Sequence, residues 1–250
     1  MSDFVQLYFE GAPAPGAGRR LVCFVHGGAG DHRTTWTGKR DTYWPSLVHA
    51  DADFGGPDVA AVDYDTHAKS WSPDVQDIAS ELRAALLEQG ADRYQAVTFV
   101  AHSLGGIVVR WMLCDDVLRY GAKLWPRTRL VMSFSSPYEG CNGVSLVKHV
   151  MLQSDQVKSV VPPSPMLDAL AAEWRSVLAL PGRRPVIRCA WEDPPVKTDW
   201  FMREESATFL CDSPSLAIRE NHRNIVKPDG AAHVSHEALR NEYRASVLAG

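Results

Sequence analysis

The sequence predicts an α/β chain with a mostly parallel, doubly wound sheet and one helical insertion. Three observations predict it. Short apolar runs rich in β-branched residues recur along the chain and end in glycine or polar loops, as buried parallel strands do. Segments with apolar residues at helical spacing alternate with them. From about residue 141 to 181 the strand rhythm breaks, and a helical pattern interrupted by prolines takes over. At 250 residues the chain suits a single domain, residues 1–250, with a sizeable core.

Residues 1–11 read as a short edge strand. Gly11 to Gly18 is a turn-rich connection. Its glycines invite comparison with a dinucleotide loop, but no helix clearly follows, and Arg19-Arg20 leads into a strand, so the nucleotide reading is weak. That strand is Leu21-Val22-Cys23-Phe24-Val25, ending in His26-Gly27-Gly28-Ala29-Gly30-Asp31. Asp58 to Val62 is the next strand, leading into Asp63-Tyr64-Asp65-Thr66. Pro73-Asp74 then opens a helix with Val75, Ile78, Leu82 and Leu86 on one face, and Gly90 ends it. Later strands are expected at Arg129–Phe134 and Arg184–Trp191, and a last helix at roughly His236–Leu248. Within 141–181, Val144, Leu146, Val147, Val150, Met151 and Leu152 precede Pro162-Pro163-Ser164-Pro165. Met166, Leu167, Leu170, Trp174, Val177 and Leu178 follow. This insertion is expected to form a cap that supplies an apolar acyl pocket. The competing expectation is a set of helices packed on the sheet.

The chemistry concentrates in Val97 to Arg110. A buried strand runs into Ala101-His102-Ser103-Leu104-Gly105 and then into an apolar helix. This is the layout of a nucleophile elbow, in which a serine on a sharp strand-to-helix turn projects its hydroxyl above the sheet edge. The turn is crowded, so the positions two before and two after the serine must be small; here they are Ala101 and Gly105. The helix that starts after Ser103 aims its dipole and free N–H groups at a developing oxyanion. The glycine loop after the Val25 strand is placed to supply the second donor. Gly28 and Leu104 are therefore the oxyanion-hole candidates. His26 reads as a structural residue that binds loop backbone. As a phosphate loop the same glycines lack Gly-Lys-Ser/Thr.

A serine nucleophile needs a base to take its proton and a carboxylate to orient that base. In this topology the chain order is serine, acid, histidine. His222 lies after the last strand region, in a loop. His102 is expected to point away from the cleft, His149 falls in the cap, and His233 and His236 fall in or before the last helix. The acid is open at this stage. Glu192 directly ends a strand and is favoured; Asp199 and Asp193 are the alternatives.

These residues resemble the α/β-hydrolase superfamily. Within it they resemble the serine-active-site lipase-like proteins related to GPI inositol-deacylases. The resemblance rests on Val25-His26-Gly27, Thr35-Trp36, Tyr43-Trp44-Pro45, Asp63 to Thr66, Ala101 to Gly106, Ser206-Ala207, and His222 through Lys227-Pro228, in that order. It implies an α/β-hydrolase fold and hydrolysis of carboxylic esters, lipid acyl esters among them. It also implies His222 as the family's histidine. Glu192 matches a glutamate by its distance from Ser206-Ala207. Asp199 sits where a wider lipase pattern, Asp-x-x-Val-Pro-x-x-Ser-Ala, has its aspartate, although Met202 and Arg203 replace Val-Pro. The same three groups would serve an acyltransferase or thioesterase, because only the acceptor differs. A hydrolase-fold ligand-binding module without turnover is the remaining alternative.

Composition sets the outer bounds. Charged residues make up 22% and the formal net charge is −4, which argues against a partner held through phosphate contacts such as nucleic acid. No cofactor is expected. No metal is expected, because neither His-Glu-x-x-His nor a Cys-x-x-Cys pair occurs. The start lacks the pattern of a signal peptide, and no apolar run is long enough to span a bilayer. Membrane contact is therefore expected only peripherally, through the cap. The cysteines at 23, 114, 141, 189 and 211 are an odd set. They are expected to be reduced thiols in a cytosolic protein.

Overall fold

The computed structural model describes residues 5–66, 74–140, 163–193 and 203–249. Its strands are β1 (Val5–Phe9), β2 (Arg20–Val25), β3 (Asp58–Tyr64), β4 (Ala96–His102), β5 (Thr128–Phe134), β6 (Val186–Glu192) and β7 (Leu216–Ile218). They form one sheet in the order β1-β3-β2-β4-β5-β6-β7. β1 runs antiparallel to β3, and every other neighbouring pair is parallel. The sequence expectation of a mostly parallel sheet with β1 at its edge is thus met. The loop Gly11–Gly18 carries no helix after it; β2 starts at Arg20.

Apolar runs form the central strands because both faces of the sheet are covered. Leu21, Cys23 and Val25 of β2 face one side, together with Phe99 and Ala101 of β4. Helices α2 (Val75–Glu88), α3 (Leu104–Leu118) and α4 (Pro165–Leu178) pack there. Val22 and Phe24 face the other side, where α1 (Trp44–Ala50) and α6 (Val234–Tyr243) lie. A fifth helix, α5 (Glu204–Thr208), falls between β6 and β7. Helix α2 starts on a full capping box, with Asp74 accepting from Asp77 N–H and Asp77 reaching back to Asp74. Helix α3 is apolar almost all round because it is sandwiched between α2, α4 and the sheet. Between α1 and α6, Trp44 Nε1–H donates to His236 Nδ1 at 3.1 Å, and His236 Nε2–H donates to Asp51 at 2.9 Å. The C-terminal helix begins at Val234, and its last turn, Arg244–Leu248, widens to π spacing.

The first part of the expected cap, residues 141–162, lies outside the described residues. The remainder holds α4, whose Leu167, Leu170, Trp174 and Val177 are buried in the core beside α3. That helix follows the packed-helix alternative. Its Ser164 caps the first turn by accepting from Leu167 N–H at 3.2 Å.

The expectation of reduced cysteines is corrected in one respect. Cys189 of β6 and Cys211 are joined by a disulfide, with Cα atoms 6.1 Å apart, well within bridging range. The chain returns along β6 after α5: Asp212 N–H donates to Ile187 O at 2.8 Å, and Ile187 N–H donates to Asp212 at 2.9 Å. This return sets Cys211 beside Cys189, a long-range pairing that Cys spacing alone does not encode. Cys23 and Cys114 are free and buried, and burial pushes both thiols up to about 12. Cys141 lies outside the described residues. The disulfide removes the thiol argument on which a cytosolic location rested.

Candidate active site

Ser103 occupies the turn between β4 and α3, with φ 52° and ψ −125°. This is a conformation a non-glycine residue adopts only when its surroundings force it. Two contacts enforce it. Ser103 N–H donates to Phe134 O at 3.0 Å, which ties the turn to the neighbouring strand β5. Gly105 lies against the end of β2, where a Cβ would run into the carbonyl oxygens of Val25 and His26. The glycine at this position is therefore a packing requirement. The turn tolerates Ala101 two positions before the serine, fully buried in the sheet.

The loop after β2 presses on the same turn. A Cβ at Gly27 would meet Ser103 Cβ at 2.7 Å, so only glycine lets the loop approach the serine. His26 holds this loop as the sequence indicates: its Nδ1–H donates to Gly27 O at 2.7 Å, and its Nε2 accepts from Tyr64 N–H at 3.3 Å. Its ring stacks on Tyr64, centroids 4.0 Å apart. Gly28 and Ala29 line a cavity of about 250 Å³ that opens at Ser103, and Thr34, His222 and Lys227 are also in its wall. Leu104, the other oxyanion candidate, is the first residue of α3, where backbone N–H groups have no intrahelical acceptor.

His222 lies in the loop after β7. Its Nε2 is 3.1 Å from Ser103 Oγ, and its Nδ1 is 2.7 Å from Glu192 Oε2. A carboxylate only accepts, so Nδ1 carries the proton and Nε2 presents its lone pair to the serine hydroxyl. Glu192, the last residue of β6, is fully buried; His222 and Ser103 are 4% and 8% exposed. The structure thus brings together Ser103, His222 and the favoured acid Glu192. Asp199 lies outside the described residues. Asp193, one residue past the strand, donates its backbone N–H to Ile218 O at 2.8 Å.

His102 is a residue of the cavity wall, and its imidazole makes a contact that the sequence does not anticipate. Nε2–H donates to the backbone carbonyl of His222 at 2.8 Å, with the two rings 4.8 Å apart. Trp36 meets the His102 ring edge-on at 6.5 Å. Burial drives the imidazole pKa well below its usual value, and the neighbouring His222 adds to the effect, so His102 is neutral. His102 follows the alternation of β4, sharing the Val100 and Trp36 side of the sheet, and from there it reaches the carbonyl of His222. Lys227 also lay outside the initial candidates. Its ammonium donates to the carbonyls of Thr34 and Thr37 and so braces the turn that follows the glycine loop. Partial burial and the charge of Arg223 lower its pKa. The only sequence signal for it was its place in the His222–Pro228 match.

No group of metal-ligating side chains occurs among the described residues. No described helix is long and apolar enough to cross a membrane.

Comparison with known proteins places the fold. The zebrafish (Danio rerio) Protein SERAC1 is 29% identical over 176 residues, covering 58% of this chain and 26% of that protein. The chain therefore spans about a quarter of that relative's length. Among solved structures, the mature lipase BlEst2 of Bacillus licheniformis is similar with a TM-score of 0.68 at 15% identity, covering 95% of this chain and 98% of the lipase. Phospholipase PlaB of Legionella pneumophila is similar with a TM-score of 0.67 at 13% identity, covering 91% and 60% respectively. These structural likenesses concern the fold. The alpha/beta hydrolase family matches residues 24–245, from inside β2 past the end of α6, and the chain belongs to that family.

Proposed function

We propose that the protein is a serine ester hydrolase that cleaves carboxylic esters through an acyl-enzyme. The observation that carries this reading is the unbroken line from Glu192 Oε2 through His222 to Ser103 Oγ, with contacts of 2.7 and 3.1 Å. Ser103 Oγ attacks the ester carbonyl as its proton passes to His222 Nε2. Glu192 holds the ring in the tautomer that can accept this proton and stabilises the imidazolium that results. The backbone N–H groups of Gly28 and Leu104 receive the charge that develops on the carbonyl oxygen. His222 then gives its proton to the departing alcohol. Water, activated by the same imidazole, hydrolyses the acyl-serine and restores the enzyme.

The relatives point toward esters of lipid type: a lipase and a phospholipase share the fold. Among the described residues the cavity wall at Ser103 combines glycines and threonines, the side chains of Arg223 and Lys227, two histidines, and only Ala29 and Val226 as apolar residues. The apolar residues expected to line an acyl pocket, Val144 to Leu152, lie outside the described residues.

A p-nitrophenyl ester series from acetate to palmitate tests the reaction, and carboxylate substitutions test the triad. Glu192→Ala is expected to lower kcat by about three to four decades, while Asp199→Ala stays within a few-fold of the parent. The reverse order would transfer the orienting role to Asp199. Equal, small effects from both would remove the triad.

A further inference from the structure

We propose that Cys189 and Cys211 are a redox-active pair that exchanges with dithiol donors, and that the Arg110 guanidinium holds Cys211 as a thiolate once the bond opens. The pair is independent of the Ser103 chemistry. Arg110 is the starting point. It lies on α3, two turns after the elbow, and is 2% exposed. No carboxylate among the described residues pairs with it. Its Cζ sits 3.2 Å above the Tyr138 ring and 5.2 Å from that of Trp174, and its Nε has no hydrogen-bond partner. A buried cation without an anion is costly. The ring faces compensate only in part. Tyr138 and the neutral, buried Cys114 thiol also interact with the guanidinium, and Nη2–H donates to Cys211 Sγ at 3.3 Å.

That sulfur is a poor acceptor while it is half of a disulfide. As a thiolate it would carry the full charge that the guanidinium lacks. Reduction therefore replaces a weak contact with a buried ion pair, which favours the open form and lowers the proton affinity of Cys211. The geometry survives the opening. The segment carrying Cys211 stays on β6 through the Asp212–Ile187 backbone contacts and through Arg184, which donates to Asp212 at 2.7 Å. Cys211 would thus remain opposite Arg110.

The exchange balances with a dithiol as the two-electron donor. Cys211 is partly accessible, whereas Cys189 is 1% exposed, so the donor's thiolate attacks Cys211 Sγ. The S–S bond breaks, and Cys189 leaves and takes up one proton to become a buried thiol. The donor's second thiolate then attacks its own first sulfur and closes a donor disulfide. This expels Cys211 as the thiolate facing Arg110. The donor gives up two electrons and two protons; one proton stays on Cys189 and one enters solvent.

The chain, equilibrated anaerobically across ratios of reduced to oxidised dithiothreitol, acid-quenched, alkylated and mapped by peptide mass spectrometry, tests this directly. In the wild type, Cys189 and Cys211 should convert together while the protein remains folded. Arg110→Gln should require about a tenfold higher ratio of reduced to oxidised dithiothreitol to reach the midpoint, the loss expected for one hydrogen bond to a charged group. Arg110→Lys should recover part of the shift. The wild type also carries a test that needs no variant: iodoacetamide should modify reduced Cys211 with a pH midpoint well below the ordinary thiol value of about 8.5. A pair that resists excess reduced dithiothreitol while the protein stays folded, or that is never found oxidised, overturns the proposal. So does an Arg110→Gln midpoint equal to the wild type's, or an ordinary thiol pH profile at Cys211. Should Arg110→Gln fail to fold, the wild-type pH profile decides alone.

Discussion

His102 makes the sharpest claim at the scale of single residues. It is neutral, buried, and spends its Nε2–H on the carbonyl of His222, so it positions the base through that base's own backbone. Replacing it by alanine removes the donor and leaves a space in the wall. His102→Ala is expected to lower kcat about tenfold, the equivalent of one buried hydrogen bond, with KM little changed. His102→Gln, which can still reach the carbonyl with an N–H, should recover most of the loss. Steady-state kinetics on a soluble ester checks this; a loss confined to thermal stability, with kcat untouched, would reduce His102 to a packing residue. The sequence pointed to Ser103 and His222 because a small-residue turn and chain order are readable signals, and it left the acid open between Glu192, Asp199 and Asp193 because each lies at or after the end of the same strand. It left His102 without a role because its partner, the carbonyl of His222, comes from 120 positions later. It left Lys227 without a role because its partners, Thr34 and Thr37, come from almost two hundred positions earlier.

At the scale of elements, the site is the meeting of the β2 loop with the N-terminus of α3. Gly105 is where the two touch, close enough that a Cβ would strike two backbone carbonyls. Backbone cannot swing aside as a side chain can, so Gly105→Ala is expected to cost about 3 kcal/mol, at the upper end of overpacking. Gly230→Ala, at a position with nothing within 4 Å of its Cβ, should be nearly neutral. Thermal denaturation of the two variants checks the contrast, and equal melting temperatures would contradict it. The elements themselves were largely readable. The strands β2 to β6 and helix α2 announce themselves by apolar runs, spacing and caps. Three features were not readable. Helix α4 has the same periodicity whether it covers a site or packs on α3. The disulfide joins segments brought together only when the chain turns back along β6. The final π turn of the last helix leaves no mark in the apolar pattern.

At the scale of the whole molecule, buried imidazoles make the fold sensitive to acid. His102 and His236 both have pKa values lowered by burial. The unfolded chain, with ordinary imidazoles, therefore binds protons at a pH where the folded chain does not. Stability must then rise with pH across that interval and fall as pH drops through about 6.5. The melting temperature is expected to decline from pH 7 to pH 5. The decline should be shallower in His236→Gln, which keeps a neutral side chain between Trp44 and Asp51. A melting temperature unchanged over that interval would contradict the placement of these two rings in the core. The doubly wound sheet, the covered faces and the site at the C-terminal ends of β2, β4 and β6 together serve one purpose, which is to hold a strained serine against an oriented histidine. Intact-protein mass spectrometry after treatment with a fluorophosphonate measures that most directly. A single covalent adduct on Ser103, absent in Ser103→Ala and strongly slowed in His222→Ala, is the expected result, and a folded wild-type protein that acquires no adduct would contradict it.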